Sequence, residues 1–314
     1  MCIRQEVVNS PQHMEDNVFH TAVKKLQPSR VVFAGAGEPL LHPGLPDWIR
    51  FLKARSVQTM LSSNLLIDTE RIRAITEAGL DILKVSIDAP DEERYNLIRE
   101  NGNFTRLMEN LSFFKSLPLP KPALRFEYVL MKENLAGIPD ILPLAASFGA
   151  EGVYFRELQT FGMPNDRRRA LLDGFDFSAL RIHLEYAVQK ARSIKIKTNA
   201  RVLLSNFSGL QKLYNRTLTA RDVTGCLLPW LALFVSVQGD TSPCCAMTTN
   251  GQVRTGNVME QSRDELLNGQ AMICIRRGFR NGKTSPVCLD CLPRSAKRLL
   301  SMLHMLPRRP GFFS

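Results

Sequence analysis

The chain has 314 residues, 44% hydrophobic and 23% charged, with a net charge of +11 at pH 7; that size suits one large domain, a smaller one and an ordinary core. Its first residues, MCIRQEVVNSPQHMED, lack the apolar stretch of a signal peptide. The longest apolar run, 227–237, is too short to span a bilayer and is broken by Pro229. Neither a secretion signal nor a membrane span is read here, and a reducing cytoplasm is the expected location.

In chain order, residues 31–35, 57–62, 82–88, 124–131, 152–156 and 194–198 read as strands, short and rich in β-branched or aromatic residues. Helical patterns fall between them at 68–78, 105–115, 138–148 and 177–192. In the first, Ile72 and Ile75 join Ala74 and Ala78 on one apolar face, Asp68 is placed to cap the start and Gly79 to stop the end. Such βα alternation predicts a parallel sheet with helical crossovers, either an α/β barrel or an open doubly wound sheet. Functional loops then follow the strands' C-terminal ends. Polar and glycine residues gather there, in AGAGEPLLHP at 34–43, Ser62-Ser63-Asn64 and Ser86-Ile87-Asp88.

Past residue 200 the pattern changes. Residues 201–222 read as a connector with some helix, 227–241 as apolar strand and turn, 263–268 as helix and 278–287 as loop. A region this poor in periodic segments needs a metal or cross-links to hold it. The basic surplus is local, at Arg167-Arg168-Arg169, Arg276-Arg277 and the tail from Arg294 to Arg309, and reads as solvated faces. No aromatic-interleaved basic motif appears, so no specific nucleic-acid partner is expected. The tail mixes apolar and basic residues, which suits weak membrane or partner contact.

Six of seven cysteines lie between 226 and 291. In a cytoplasm such a set points to soft-metal ligation rather than disulfides. Cys226, Cys244 and the CxxC pair Cys288 and Cys291 make a four-thiolate set that fits tetrahedral zinc or a [4Fe–4S] cluster. Cys245 competes with Cys244, but neighbours on a strand face opposite ways, so one of them ligates. Cys274 fits no pair and reads as structural. In Gly35-Ala36-Gly37-Glu38-Pro39, two glycines allow close backbone approach to a ligand, Glu38 supplies an acceptor for an ammonium group and Pro39 stiffens the turn. It is no dinucleotide fingerprint, because Leu40 stands three residues after Gly37. Glu127, Lys132, Asn134, Arg156 and Glu157 lie where a strand end can face a pocket, whereas His183 reads as a helix-face residue.

Taken together these elements resemble the radical S-adenosylmethionine (SAM) enzymes. GAGEPLLHP is similar to their GGEP element, and Ser62-Ser63-Asn64 to the next polar element, with Leu65 where glycine is common. Val85-Ser86-Ile87-Asp88 resembles the strand that approaches the SAM ribose, and IRENGNF at 98–104 their R-x-x-G-x-F stretch. From Cys226 to Cys291, with CLLPW, PCC and GNV, the chain resembles a SPASM domain or its shorter twitch relative. The resemblance implies a partial (β/α)6 TIM-like barrel at 1–205, lacking its first strand, then a small cysteine-rich α+β SPASM/twitch domain at 206–294 and a basic amphipathic tail at 295–314.

It further implies a [4Fe–4S] cluster held by CxxxCxxC with SAM on the open iron, and a 5′-deoxyadenosyl radical that takes hydrogen from a peptide or small metabolite. Electrons come from a flavodoxin- or ferredoxin-type reductant. Gly35, Gly37, Glu38 and Pro39 would hold the SAM amino group, Ser62, Asn64, Ser86 and Asp88 the ribose side, and Arg99 the carboxylate. The same residues also read as turn, strand-end cap and ion pair. Met1-Cys2-Ile3-Arg4 resembles the end of CxxxCxxC, with Cys2 as its third cysteine; the expectation is a chain that begins inside the motif and is inactive as written. No further cysteine follows Cys291, so one auxiliary cluster is expected. Catalytic residues are not assigned. The competing readings are a non-catalytic iron–sulfur or electron-transfer protein and a structural zinc site.

Overall fold

The computed structural model describes residues 12–35, 37–249 and 253–295. Helix α1 (Asp16–Leu26) leads into β1 (Arg30–Phe33), then α2 (Leu45–Lys53), β2 (Gln58–Ser63), α3 (Thr69–Glu77) and β3 (Ile82–Ser86). Two helices, α4 (Glu92–Ile98) and α5 (Phe104–Ser116), precede β4 (Ala123–Leu130). The chain continues through α6 (Ile138–Ser147), β5 (Gly152–Glu157), α7 (Asn165–Leu172), α8 (Phe177–Ser193) and β6 (Lys197–Thr198). All six strands run parallel in the order β1-β2-β3-β4-β5-β6. The expected α/β barrel-type sheet is therefore present; the expectation of a missing first strand falls on residues outside those described.

Period-two alternation sorts the strands into two faces. Register neighbours Val85, Phe126 and Val153 are fully buried on the helix side, where Ile72, Leu107, Ile141 and Leu184 meet them in the main core. On the other face the register joins Ser62 to Lys84 to Arg125, and Ser86 to Glu127 to Tyr154. One face is thus hydrocarbon and the other polar and charged.

Several local expectations change. Gly79 does end α3, in a left-handed conformation with φ +85 that suits glycine. Asp68 sits at the N-cap position, yet its side chain makes no capping bond and lies 3.5 Å from Arg106 instead. The 201–222 connector is mostly helix: α9 (Ala200–Ser205), α10 (Phe207–Tyr214) and α11 (Ala220–Val223). Phe207, Leu210 and Tyr214 belong to the main core.

The C-terminal region contains α12 (Leu228–Leu231), a three-stranded antiparallel sheet of β7 (Phe234–Val235), β8 (Asp240–Ser242) and β9 (Gly256–Asn257), and α13 (Cys245–Thr249) inserted before β9. Helices α14 (Arg263–Asn268) and α15 (Gln270–Arg280) follow, and a 3₁₀ turn spans Pro286–Asp290. Thus 278–287 is loop only in part. Gly278 lies inside α15 because a Cβ there would fall 2.4 Å from the Lys283 carbonyl oxygen, a close approach that only glycine permits.

This small unit is fixed to the large sheet at several places. Lys25 of α1 donates to the carbonyls of Val258 and Gln261 at 2.6 and 2.8 Å, and Val18 and Ala22 pack against Val258 and Leu266. Arg168 of α7 pairs with Asp290 at 3.0 Å and donates to the Thr160 carbonyl at 3.1 Å. Arg168 is therefore a clamp, not part of a solvated face. Among the described residues no helix is long and apolar enough to cross a membrane.

Candidate functional site

At the end of β1, Gly35 and Gly37 are exposed, and a Cβ at either would meet nothing within 4 Å. The fold's own packing requires neither glycine, so the bare backbone offers room for a ligand. Glu38 braces this turn against the next one. Its Oε1 accepts from the Leu40 amide at 3.0 Å and its Oε2 from the Asn64 amide at 2.8 Å. Burial pushes its carboxyl up, while the Asn64 and Leu40 amides pull the other way. Pro39 opens the 3₁₀ turn Pro39–Leu41.

After β2, Ser62 is half-buried on the polar face, and Asn64 Oδ1 accepts from the Leu66 amide at 2.8 Å. Leu65 adopts φ +58 and is fully buried, so the position where glycine is common does take a left-handed conformation. Ser86 is half-buried at the end of β3.

Asp88 is fully buried. Its Oδ2 accepts from Arg99 Nη2 at 2.6 Å and its Oδ1 from the Val129 amide at 2.8 Å. The structure thus joins two predicted site residues as an ion pair, and Arg99 Nε remains buried with no hydrogen-bond partner. Asn134 does not face a pocket. It is fully buried and ties the β3 and β4 ends together, donating to the carbonyls of Asp88 and Val129 and accepting from the Met131 amide. Lys132 is exposed and donates to the Ala170 carbonyl at 2.7 Å.

The middle of the polar face carries a charged cluster. Arg156 grips Glu127 with two hydrogen bonds, Nε to Oε2 at 3.0 Å and Nη2 to Oε1 at 2.6 Å, and Lys84 Nζ lies 3.6 Å from Glu127. Burial alone would raise the Glu127 carboxyl, but Arg156 and Lys84 outweigh it and hold the pKa at about 2. Arg294, from the C-terminal unit, reaches the same cluster with Nη2 3.7 Å from Glu157. Lys84 was not among the residues sequence reasoning placed at the site. Its signal was a lysine inside an otherwise apolar strand, ILKVS.

The cysteines form a second centre. Cys226, Cys244 and Cys288 pack around Phe161, Met247, Phe279 and Val287. Burial first, then the neighbouring thiols, push Cys244 up to about 11 and Cys288 up to about 12. Cys291 faces the large sheet instead, receiving Gln159 Nε2 at 3.8 Å. Cys244 lies in a bend and Cys245 opens α13, so the pair is not on a strand as expected; Cys244 is half-buried and Cys245 exposed all the same. Cys274, read as structural, is exposed on α15 rather than packed in a core. The described cysteines form no disulfide with one another. Among the described residues no three His, Cys, Asp or Glu side chains converge closely enough for a single metal ion. Cys2 lies outside the described residues, as does the basic tail after Ser295. Arg276 and Arg277, with Arg280, Ile273 and Trp230, line a shallow recess of about 260 Å³ on the C-terminal unit.

A glycine-bared turn, a polar strand-end rim and a clustered thiol set on a six-stranded parallel sheet define an α/β protein built for a soft-metal cofactor. Residues 1–145 match the Radical SAM superfamily profile, and residues 226–292 match that of the SPASM iron–sulfur cluster-binding domain. The chain carries a Radical SAM domain followed by a SPASM domain, two domains that imply iron–sulfur clusters.

PqqA peptide cyclase from Gluconobacter oxydans is 25% identical over 256 residues, covering 79% of this chain and 65% of that protein. GTP 3′,8-cyclase from Chlorobaculum tepidum is 26% identical over 166 residues, covering 51% and 49%. The chain thus spans between about half and two thirds of the length of these curated relatives. Streptococcus suis SuiB bound to its precursor peptide SuiA superposes with a TM-score of 0.66 at 13% identity, covering 88% of this chain and 63% of that one. The protein anSMEcpe with bound AdoMet gives 0.62 at 16% identity, covering 95% and 88%. Both establish the fold.

Proposed function

We propose that this is a peptide-modifying radical SAM enzyme with one auxiliary [4Fe–4S] cluster in its C-terminal domain. The observation that carries the reading is the seat of the thiol set. Cys291 abuts Gln159 and Phe161 packs among the thiols, both on the loop that follows β5. That strand also delivers Arg156 to the polar face, so cluster and substrate face share one short segment. PqqA peptide cyclase is a peptide enzyme by name and SuiB binds a precursor peptide, which supports a peptide as substrate.

SAM fits the rim after β1 to β3. Gly35 and Gly37 leave backbone bare beside Glu38, and Asn64, Ser86 and the Asp88–Arg99 pair line the adjoining strand ends. The unpartnered Arg99 Nε is a donor suited to the SAM carboxylate. With a SAM cluster in place, cluster and SAM would supply hydrogen-abstraction chemistry through a 5′-deoxyadenosyl radical, the electron coming from a flavodoxin- or ferredoxin-type reductant. The chain's own groups orient SAM and exclude water around it.

Zinc holds sulfurs at 2.3 Å, hence about 3.8 Å from one another. The match of residues 226–292 to an iron–sulfur cluster-binding domain favours the wider cubane. A cubane on SAM duty needs three thiolates, and ahead of Cys226 the sequence supplies Cys2 alone. These 314 residues by themselves are therefore expected to load the C-terminal cluster and to leave SAM uncleaved.

Anaerobic reconstitution with iron and sulfide tests this. About four irons per chain are expected, falling to near zero in the Cys226→Ser/Cys288→Ser double variant. One tightly bound zinc, or four irons retained in that variant, would sink the assignment. Release of 5′-deoxyadenosine by the 314-residue chain would refute the inactivity.

A further inference from the structure

Among the described residues, the charged cluster on the polar face holds one cation too many. Lys84, Arg156 and Arg294 bring three positive charges, and Glu127 and Glu157 bring two negative ones. The two carboxylates do not serve the cations equally. Arg156 occupies both oxygens of Glu127. Lys84, its side chain 14% exposed, has that carboxylate at 3.6 Å and makes no hydrogen bond, although an ammonium carries three donors. Arg294, its side chain 17% exposed, has Nη2 3.7 Å from Glu157, and its Nη1 is buried without a partner.

Such donors are costly to leave unpaired away from water. An unsatisfied lysine and an unsatisfied guanidinium in one shielded cluster form a site for a monoanion, whose arrival balances the charge and supplies the missing acceptors. We propose that Lys84 and Arg294 bind a carboxylate of the substrate, an acidic side chain of the peptide, and thereby select for it. This inference rests on the peptide-modifying reading above.

SAM's own carboxylate is the other possible source, and position argues against it. The bare glycines, Glu38, Asn64 and Arg99 belong to the loops after β1, β2 and β3. Lys84 lies two residues before Ser86 and four before Asp88 along β3, roughly 7 and 13 Å deeper at about 3.3 Å per residue. Its neighbours in the cluster come from β4, β5 and the C-terminal domain. Burial lowers the Lys84 pKa and Glu127 only partly offsets it, so a second carboxylate would favour the charged ammonium further. Arg294 enters from a segment that begins three residues after Cys291, so the domain holding the auxiliary cluster also completes the carboxylate site.

The test uses two uncharged-backbone probes on the full chain, N-acetylglutamate N-methylamide and its glutamine counterpart, with binding followed by NMR line broadening. The glutamate probe is expected to bind at least about tenfold more tightly, as a charge-assisted pair implies. Arg294→Gln and Lys84→Met should each abolish that preference, and Arg294→Lys should keep part of it. Circular dichroism confirms that each variant is folded; Arg294, at the edge of the cluster, is the safer site should Lys84→Met fail to fold.

SAM binding by equilibrium dialysis is measured in parallel and is expected to be the same in Arg294→Gln as in wild type. Equal binding of the two probes to wild type overturns the proposal. So does loss of SAM binding in folded Arg294→Gln, which would give the carboxylate to the cofactor. Preference for the glutamate probe in a protein that binds no SAM upholds the site while refuting the placement of SAM on the rim after β1 to β3.

Discussion

Replacing Glu127 with glutamine preserves the side chain's shape and removes the charge that Arg156 grips with two hydrogen bonds. Burial by itself would raise this carboxyl, yet Arg156 and Lys84 hold it at about 2 against an ordinary 4.5. A carboxyl whose folded pKa is depressed stabilises the fold above its unfolded value, and that contribution disappears as pH falls toward the folded one. The window here runs from pH 4.5 down to about 2. The difference converts to on the order of 3 kcal/mol at pH 7, of which about 2 kcal/mol has gone by pH 3.

Glu127→Gln also takes from a buried arginine and lysine the carboxylate they share, so the expected loss at pH 7 is about 3–5 kcal/mol. At pH 3 the wild type has already given up most of the same stabilisation, and the gap between the two proteins should narrow by about 2 kcal/mol. Urea titrations at the two pH values, followed by circular dichroism, measure that gap from the midpoints and slopes. An equal gap at pH 7 and pH 3 would refute the reasoning. The loss would then lie in hydrogen-bond geometry or packing, and the charge would contribute nothing.

In the metal-free protein at pH 8, iodoacetamide should label exposed Cys274 and Cys245 well before Cys244 and Cys288. Burial keeps the latter two protonated at that pH; peptide mapping that finds them labelled first would contradict this. Gly278→Ala drives a methyl to 2.4 Å from the Lys283 carbonyl oxygen, and about 1–3 kcal/mol of destabilisation is expected despite alanine's better helix propensity; an unchanged melting temperature would count against the close approach. Leu65→Gly relieves a left-handed leucine, worth roughly 1–2 kcal/mol, but deletes a fully buried side chain worth about 2–5 kcal/mol. Net destabilisation is expected in urea, and a more stable variant would mean that strain dominates.

The sheet was legible because its signals are local. All six strands announced themselves by β-branched residues between amphipathic stretches, and each was found within a few residues of its expected place. Site elements at strand ends were legible for the same reason, since the turn chemistry of GAGEP and SSN is written in adjacent positions.

What failed were features that depend on partners distant in sequence. Gly278 reads as the start of a loop until the Lys283 carbonyl, five residues on, is seen folded back against it. Arg168 and Arg294 read as members of basic runs until Asp290 and Glu157 are found beside them. Asn134 looks like a pocket residue, and only the fold reveals that the backbone of Asp88, Val129 and Met131 consumes its amide. Lys84 was hidden in an apolar strand, because the register that sets it beside Glu127 and Arg156 cannot be read from ILKVS.

One hydrogen bond closes the C-terminal unit. The Leu227 amide donates to the Arg294 carbonyl at 3.1 Å, one residue past the first clustered cysteine and three past the last. The chain leaves for its excursion and returns at the same spot, with Leu292 locked into the main core just before the exit. Units whose two ends meet are the ones that tolerate grafting, because their interior can lengthen or be exchanged without moving the attachment points. The cysteine-bearing excursion has the anatomy of a removable cartridge, and swapping it would trade one set of thiols for another while leaving the six-stranded sheet in place.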